Sequence, residues 1–471
     1  MRRSVTGPPR IDGALSGGSR RGGRNMILLV VLSLAHVQAA SQVGQTEGAW
    51  ESWSDGLKNL PVGPFRLDIG GEVRLRFEDQ SHFDVRGYRP GTRDRLLLTR
   101  FMLDLNLRLE EDIRVFMQWR DAQAIDSDLD SDDFPKNNPI QDTMDIRQAF
   151  AEWLHVGGSP VGIKMGRQQI SYGDQRVFGP GLYGNTGRYV WDAAMLKIDT
   201  DAFLLDLWAG RYIENRPDVW PNRNFHDPST LVAYGTAKGL PVRLDAFYAF
   251  KYDDRGETRG EAGPGYLRSH ALGLQSQGTL AEPFDYTATL VWQGGNYGDD
   301  RLEAWGANAG LGATLPLPWE PRWGAQFTWG SGDRDPNDGV HGTFDGVWGG
   351  ADINFYGDLN LFYWANLRDY EVDLHLRPCN GLRLFLECHL FTLDEPRDAW
   401  YTTGLRPLRR DVTGHSGMVL GSEVNLRAVY SPFQGFECMV GYGYFSPGSF
   451  VRRTGPDEAA QGGFLQIRYT F

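Results

Sequence analysis

What most constrains this chain is a two-residue rhythm that recurs almost from end to end. Phe65, Leu67, Ile69, Val73, Leu75 and Phe77 hold one phase, while Arg66, Asp68, Glu72, Arg74, Arg76 and Glu78 hold the other. Successive side chains of a β-strand point to opposite faces, so the segment has one apolar face and one charged face. The next segment repeats the pattern, with Leu97, Phe101, Leu103, Leu105, Leu107 and Leu109 against Arg100, Asp104, Asn106, Arg108 and Glu110. After a tight turn at Glu111-Asp112 come Ile113, Val115, Met117 and Trp119 against Arg114, Gln118 and Arg120. The last run sets Leu465, Ile467, Tyr469 and Phe471 against Gln466, Arg468 and Thr470, and its aromatic end is a signal expected to engage a barrel-assembly machinery. Counting similar runs predicts about eighteen strands, each greasy on one side and wet on the other, as a transmembrane β-barrel requires.

Composition agrees. The chain is 41% hydrophobic with a mean hydropathy of -0.42, too polar for a helical membrane protein. A spanning helix needs about 20 apolar residues in a row, and no stretch supplies them. A barrel strand needs only about 9 to 11 residues, every second one apolar. The connections alternate in length: short turns are predicted near 110–112, 157–160, 200–202, 238–241, 281–283, 316–321, 378–381 and 431–435. Between them fall polar loops near 79–93, 122–143, 173–187, 214–228, 253–265, 333–364, 395–420 and 448–462, with a shorter one at 296–301. The predicted fold is all-β, one antiparallel transmembrane barrel over 64–471 with short periplasmic turns and long external loops. An even strand count places both termini in the periplasm. A soluble sandwich or propeller also alternates, but does not need this two-sided asymmetry.

Arg20, Arg21 and Arg24 precede the apolar run Met26 to Ala35, followed by Val37-Gln38-Ala39. That order reads as a secretory leader over 1–40, with 41–63 as a periplasmic segment and the bacterial outer membrane as destination. A signal anchor is the competing reading. Removing the leader's six Arg and one Asp takes the formal charge from -12 to -17, which argues against nucleic acid as a partner. Cys379, Cys388 and Cys438 have no metal-ligand spacing. Two of them could pair in an exported chain, while Cys388 fits its strand's apolar phase as a small hydrophobe.

The charged phase lines the lumen of such a barrel. It holds Arg66, Arg74, Arg76, Arg100, Arg108, Arg114 and Arg120, with Lys164 beside them, and Arg243, Arg377, Arg383, Arg427 and Arg468 further on. Asp68, Glu72, Asp104, Asp245, Asp373, Glu387 and Glu423 share that phase. Two readings stand. The charges pair across strands and hold the wall together, because an unpaired ion is expensive to bury. Alternatively, the arginine excess of the first three strands makes a cationic surface that favours anions.

The segment Gly166-Arg167-Gln168-Gln169-Ile170-Ser171-Tyr172-Gly173-Asp174-Gln175-Arg176 is followed by Asn185-Thr186-Gly187-Arg188 and Trp191-Asp192, with Arg147-Gln148-Ala149-Phe150 upstream. These motifs resemble the alginate-export family of outer-membrane porins. The resemblance implies a single-chain barrel whose arginine-lined pore passes an anionic polysaccharide by diffusion, and by motif position it adds Arg147, Arg167, Arg176 and Arg188 as pore or rim contacts. Strict alternation from Ile163 and Met165 turns Arg167 toward lipid unless a bulge intervenes. The expected partners are an anionic oligo- or polysaccharide, outer-membrane lipid and the assembly machinery. The expected state is a monomer without cofactor or catalytic step.

Other signals are weaker. Asp126, Asp128, Asp130, Asp132 and Asp133 crowd one loop, but Ser131 and Asn137 stand where a calcium loop wants Gly and Glu. The histidines show no ligand spacing, and no nucleophile elbow is present. A general or uptake porin of low selectivity remains an alternative, as does a structural barrel or an outer-membrane hydrolase, for which Ser422 and His415 are the pair to inspect. Trp119, Trp153, Trp208, Trp292, Trp305, Trp323 and Trp329, with Tyr442 and Tyr444, are candidates for the interfacial girdles.

Overall fold

A computed structural model describes residues 54–471 apart from 84–92, 130–132, 135–136, 226–227, 262, 347, 349–353 and 403–404. The leader, and Asp130 and Asp132 of the acidic run, lie outside the described residues. Eighteen long strands follow in chain order. They are β1 Phe65–Ser81, β2 Arg93–Leu109, β3 Ile113–Ile125, β4 Asp142–Trp153, β5 Val161–Gln169 and β6 Val190–Asp199. Next come β7 Phe203–Tyr212, β8 Ser229–Ala237, β9 Arg243–Arg259, β10 Pro264–Ala281, β11 Phe284–Gly298 and β12 Asp300–Thr314. The set ends with β13 Arg322–Gly330, β14 Leu367–Cys379, β15 Leu382–Thr392, β16 Val419–Tyr430, β17 Phe436–Pro447 and β18 Ala460–Thr470.

Each strand pairs antiparallel with the next, and β18 pairs with β1 through the register Arg74↔Arg468 and Phe77↔Leu465. The sheet is therefore closed, and no long strand is left with an open edge. The two phases separate as predicted. Val73, Phe101, Val115, Leu272, Leu311 and Leu426 are exposed on the outer face, whereas Glu72, Arg74, Arg100, Gln118 and Arg120 are buried inside. No helix of the described residues is long and apolar enough to cross a membrane.

The short turns lie at one end and the long loops at the other, with differences of detail, one being that the loop expected at 296–301 shrinks to Asp299 between β11 and β12. Where a loop was expected near 253–265, β9 and β10 run on beyond the register shift after Asp253 and leave only a tip at 260–263. Leu60–Val62, assigned to the leading segment, folds back as a short strand on Phe65–Leu67. Trp208 is no girdle residue: it is buried inside against Trp191 and Phe178. Trp153, Trp305, Trp323, Tyr442 and Tyr444 do stand exposed on the outer face. All three cysteines are free, and Cys388 is half-buried on the outward phase.

Candidate constriction of the lumen

Two of the long loops, 170–189 and 331–366, fold inward rather than away. The first begins at Tyr172, whose ring stacks 4.0 Å from Tyr234 and whose hydroxyl donates to Asp206 at 2.8 Å. Phe178 then packs edge-on against Trp208, Tyr234 and Phe247 of the β7–β9 wall. On the way Arg176 donates to Gln326 on β13 at 3.1 Å and to Tyr356 of the second loop at 3.3 Å. The two loops are also joined by backbone, because Trp348 N donates to Val177 O at 2.9 Å. Aromatic burial supplies the attraction here, and each buried phenol or guanidinium finds a partner.

The loop then crosses to the β1–β4 wall, where Leu182–Thr186 lies over the arginines. Arg74 donates to the carbonyls of Tyr183 and Gly184 at 3.0 and 3.1 Å, and to Asn185 Oδ1 at 2.9 Å. Arg100 donates to the carbonyls of Leu182 and Gly184, both at 3.0 Å, and pairs with Glu72 at 2.7 Å. Arg120 bonds Thr186 O and Asp142, and Arg147 donates to the carbonyls of Thr186 and Pro180 at 3.0 and 3.2 Å. Arg76 pairs with Glu78 at 2.5 Å and donates to Tyr183 Oη at 3.1 Å. Burial raises the Tyr183 phenol above its ordinary range, so it stays protonated. Asn185 clamps the segment from the other side, its amide facing the carbonyls of Thr99, Gln123 and Ile140 at 3.2, 3.1 and 2.7 Å.

Arg147 reaches this cluster through a defect in the sheet. Gln118 pairs with Gln148 but Trp119 pairs with Ile146, so Arg147 is the extra residue of a β-bulge. On the short-turn side of the bulge Gln148, Phe150 and Glu152 face in; beyond it Arg147 and Asp145 do. A bulge re-aims side chains in this way. Simple alternation would have put Arg147 and Gln148 on opposite faces.

The other expected lining residues are spread out. Arg66, Arg108 and Arg114 stand near the short-turn end, where Arg108 pairs with Asp68 at 2.8 Å and Arg114 with Glu152 at 2.6 Å. Lys164 sits over the Phe150 ring at 3.9 Å. Arg188 lies in the first inward loop, 5.7 Å from the Tyr189 ring. Arg167 does not face the lumen. It keeps the outward phase of Ile163 and Met165, pairs with Asp192 at 2.9 Å and donates to Asn222 O at 2.6 Å. The Ser422–His415 pair is not assembled either: Ser422 points outward from β16, and no hydrogen bond joins it to His415 among the described residues.

On their inward phase, β14–β16 present Asp369, Glu371, Asp373, Glu387 and Glu423. Arg427 bridges Glu387 and Asp358, and Arg322 reaches Asp373 at 3.0 Å. The arginines that hold the first loop thus lie on β1–β4 and a group of carboxylates lies on β14–β16, with β17 and β18 between the two stretches.

Solved structures match the fold over most of the chain at low sequence identity. Pseudomonas aeruginosa OccK8 (OprE) superposes with a TM-score of 0.56 at 13% identity, covering 86% of this chain and 98% of that one. Acinetobacter baumannii OccAB2 gives the same values, and Pseudomonas aeruginosa OpdQ gives 0.54 at 14% identity, covering 86% and 99%. Among curated proteins there is no match. The model of the alginate export family matches residues 65–463, nearly the whole barrel including both motif segments, and the chain belongs to that family.

Proposed function

We propose that this outer-membrane channel passes anionic solutes, with acidic polysaccharide such as alginate as the substrate class, and that Arg74 and Arg147 set its preference. The observation that carries this is the kind of partner those two residues have. Arg76, Arg100 and Arg120 each have a carboxylate partner, whereas Arg74 and Arg147 are held by carbonyl and amide oxygens and have no ion pair among the described residues. A neutral oxygen satisfies a donor without cancelling its charge, so the β1–β4 wall keeps a positive surplus where the lumen is narrowed by the loop. Both guanidiniums are buried beneath the loop, so in this reading they act on a passing carboxylate through their field rather than by contact. The name of the family supports the same substrate class. In this reading one copy suffices, and passage is diffusive. The short turns and both termini face the periplasm, reached after insertion by the assembly machinery into outer-membrane lipid.

The acidic β14–β16 wall favours a second reading, a general or uptake porin with little net selectivity. Reversal potentials in a planar bilayer under a potassium chloride gradient separate the two. The anionic reading requires an anion-selective wild type, block by added oligouronate, and loss of selectivity in Arg74→Met with Arg147→Met. A wild type without preference supports the general porin. A folded double variant that keeps its preference removes these two residues from the mechanism.

A further inference from the structure

Inside the β14–β15 wall, Asp369, Glu371 and His389 each offer a ligand atom, and those atoms lie within 4.8 Å of one another. From this cluster we propose a divalent-cation site of the lumen wall, suited to a borderline ion such as Zn2+. The site does not rest on the transport reading.

Strand register builds it. Glu371 is the cross-strand partner of His389, and His389 that of Glu423, so three side chains form one inward row across β14, β15 and β16. Asp369 stands one inward position along from Glu371, and both its oxygens lie near His389 Nδ1, at 3.0 and 3.2 Å. Asp369 thereby serves as the carboxylate that orients the ring, as for most metal-bound histidines, and leaves Nε2 and the Glu371 carboxylate to meet the ion.

A second observation points to a ligand. The His389 side chain is 1% exposed, yet among the described residues its Nε2 has no hydrogen-bond partner, and Glu423 Oε2, on the neighbouring residue of the row, has none either. Buried polar atoms are normally satisfied, and an orphaned imidazole nitrogen whose cross-strand partner residue carries an orphaned carboxylate oxygen is the unusual case. Charge points the same way. Three carboxylates face one imidazole, so even a protonated ring leaves an excess of negative charge in a buried place. Glu371 is the partly exposed member, giving an ion a way in from the lumen. Gln326 Nε2 donates to Glu371 Oε2 at 2.7 Å and holds that carboxylate in place. One imidazole with carboxylates suits zinc or its neighbours better than calcium, which prefers an all-oxygen shell.

The test uses the folded, detergent-solubilised barrel, stripped with chelator and titrated with zinc chloride by calorimetry. Zinc-edge X-ray absorption is then recorded on the wild type. The expected results are one equivalent of zinc and an imidazole scattering signature with N/O ligands at about 2.0–2.1 Å. Glu371→Gln, being partly exposed, is the variant least able to disturb folding, and His389→Gln is the second. Each is expected to weaken binding at least tenfold. Substoichiometric binding, a wild-type spectrum without imidazole, or unchanged affinity in a folded Glu371→Gln barrel overturns the proposal. The last result would put the ion on the acidic loops instead.

Discussion

Asn185→Ala should release the first inward loop from the β1–β4 wall without disturbing the barrel. The Asn185 side chain makes contacts to three backbone carbonyls on one side and accepts from Arg74 on the other. Its two amide protons cannot fully serve three acceptors, so the three contacts count as about two neutral bonds at ~0.5–1.5 kcal/mol each. The bond from the Arg74 guanidinium adds about 1.5–3 kcal/mol. Discounting for water that enters once the side chain is cut back, a loss of about 3 kcal/mol in loop docking is expected, or about two orders of magnitude in the docked-to-released ratio. Hydrogen exchange reads this directly. The amides of Asn185 and Thr186 donate to Pro139 O at 3.1 and 3.2 Å, and that of Arg188 to Pro180 O at 2.8 Å. These three should exchange about a hundredfold faster, while amides of the β10–β11 ladder keep their protection. Single-channel recording should show a larger and noisier open current. Unchanged exchange at 185–188 in the folded variant would refute the view that this residue holds the loop.

Two further consequences concern the same loops. Gly187 has φ +64°, and a Cβ there would stand 2.5 Å from Arg147 Nη2 and 2.8 Å from its Cζ. Gly187→Ala should therefore cost about 1–2 kcal/mol for the left-handed backbone alone and also displace Arg147, lowering the urea midpoint and reducing anion preference together. Near the start of the second loop, burial first, and then a hydrogen bond shared with Glu261, push the Asp333 carboxyl up to about 7. A raised folded-state value means the protonated form is the stabilising one. Its contribution is complete below the unfolded value near 4 and is lost as pH rises through about 7. Gly339 N, which donates to Glu261 at 2.9 Å, should lose protection between pH 6 and pH 8 beyond the intrinsic rate, and Asp333→Asn should flatten that dependence. A pH-independent Gly339 amide in the wild type would contradict it.

The alternation of apolar and charged residues by itself determined the barrel, the strand number and the unequal lengths of the connections. It could do so because a strand's two faces meet different solvents, and a slip of one residue would expose every charge to lipid. The same logic placed Arg74, Arg100 and Arg120 inside, and the motif around Asn185-Thr186-Gly187 marked the loop that covers them. Alternation could not say that the loop turns inward, since polar loop residues look alike whether they meet water or a lumen. It gave no warning of the bulge that brings Arg147 in, and the girdle reading of Trp208 came from its ring alone, since in phase it goes with the inward Asp206. Nor could it connect Glu371 with His389 and Glu423, because ligands on neighbouring strands have no fixed spacing in sequence. Those relations come from register and closure, which join residues tens of positions apart through backbone hydrogen bonds. Tertiary structure decided which arginines have an acid and which have only a carbonyl, because register and loop packing, not position in the sequence, bring the partners together.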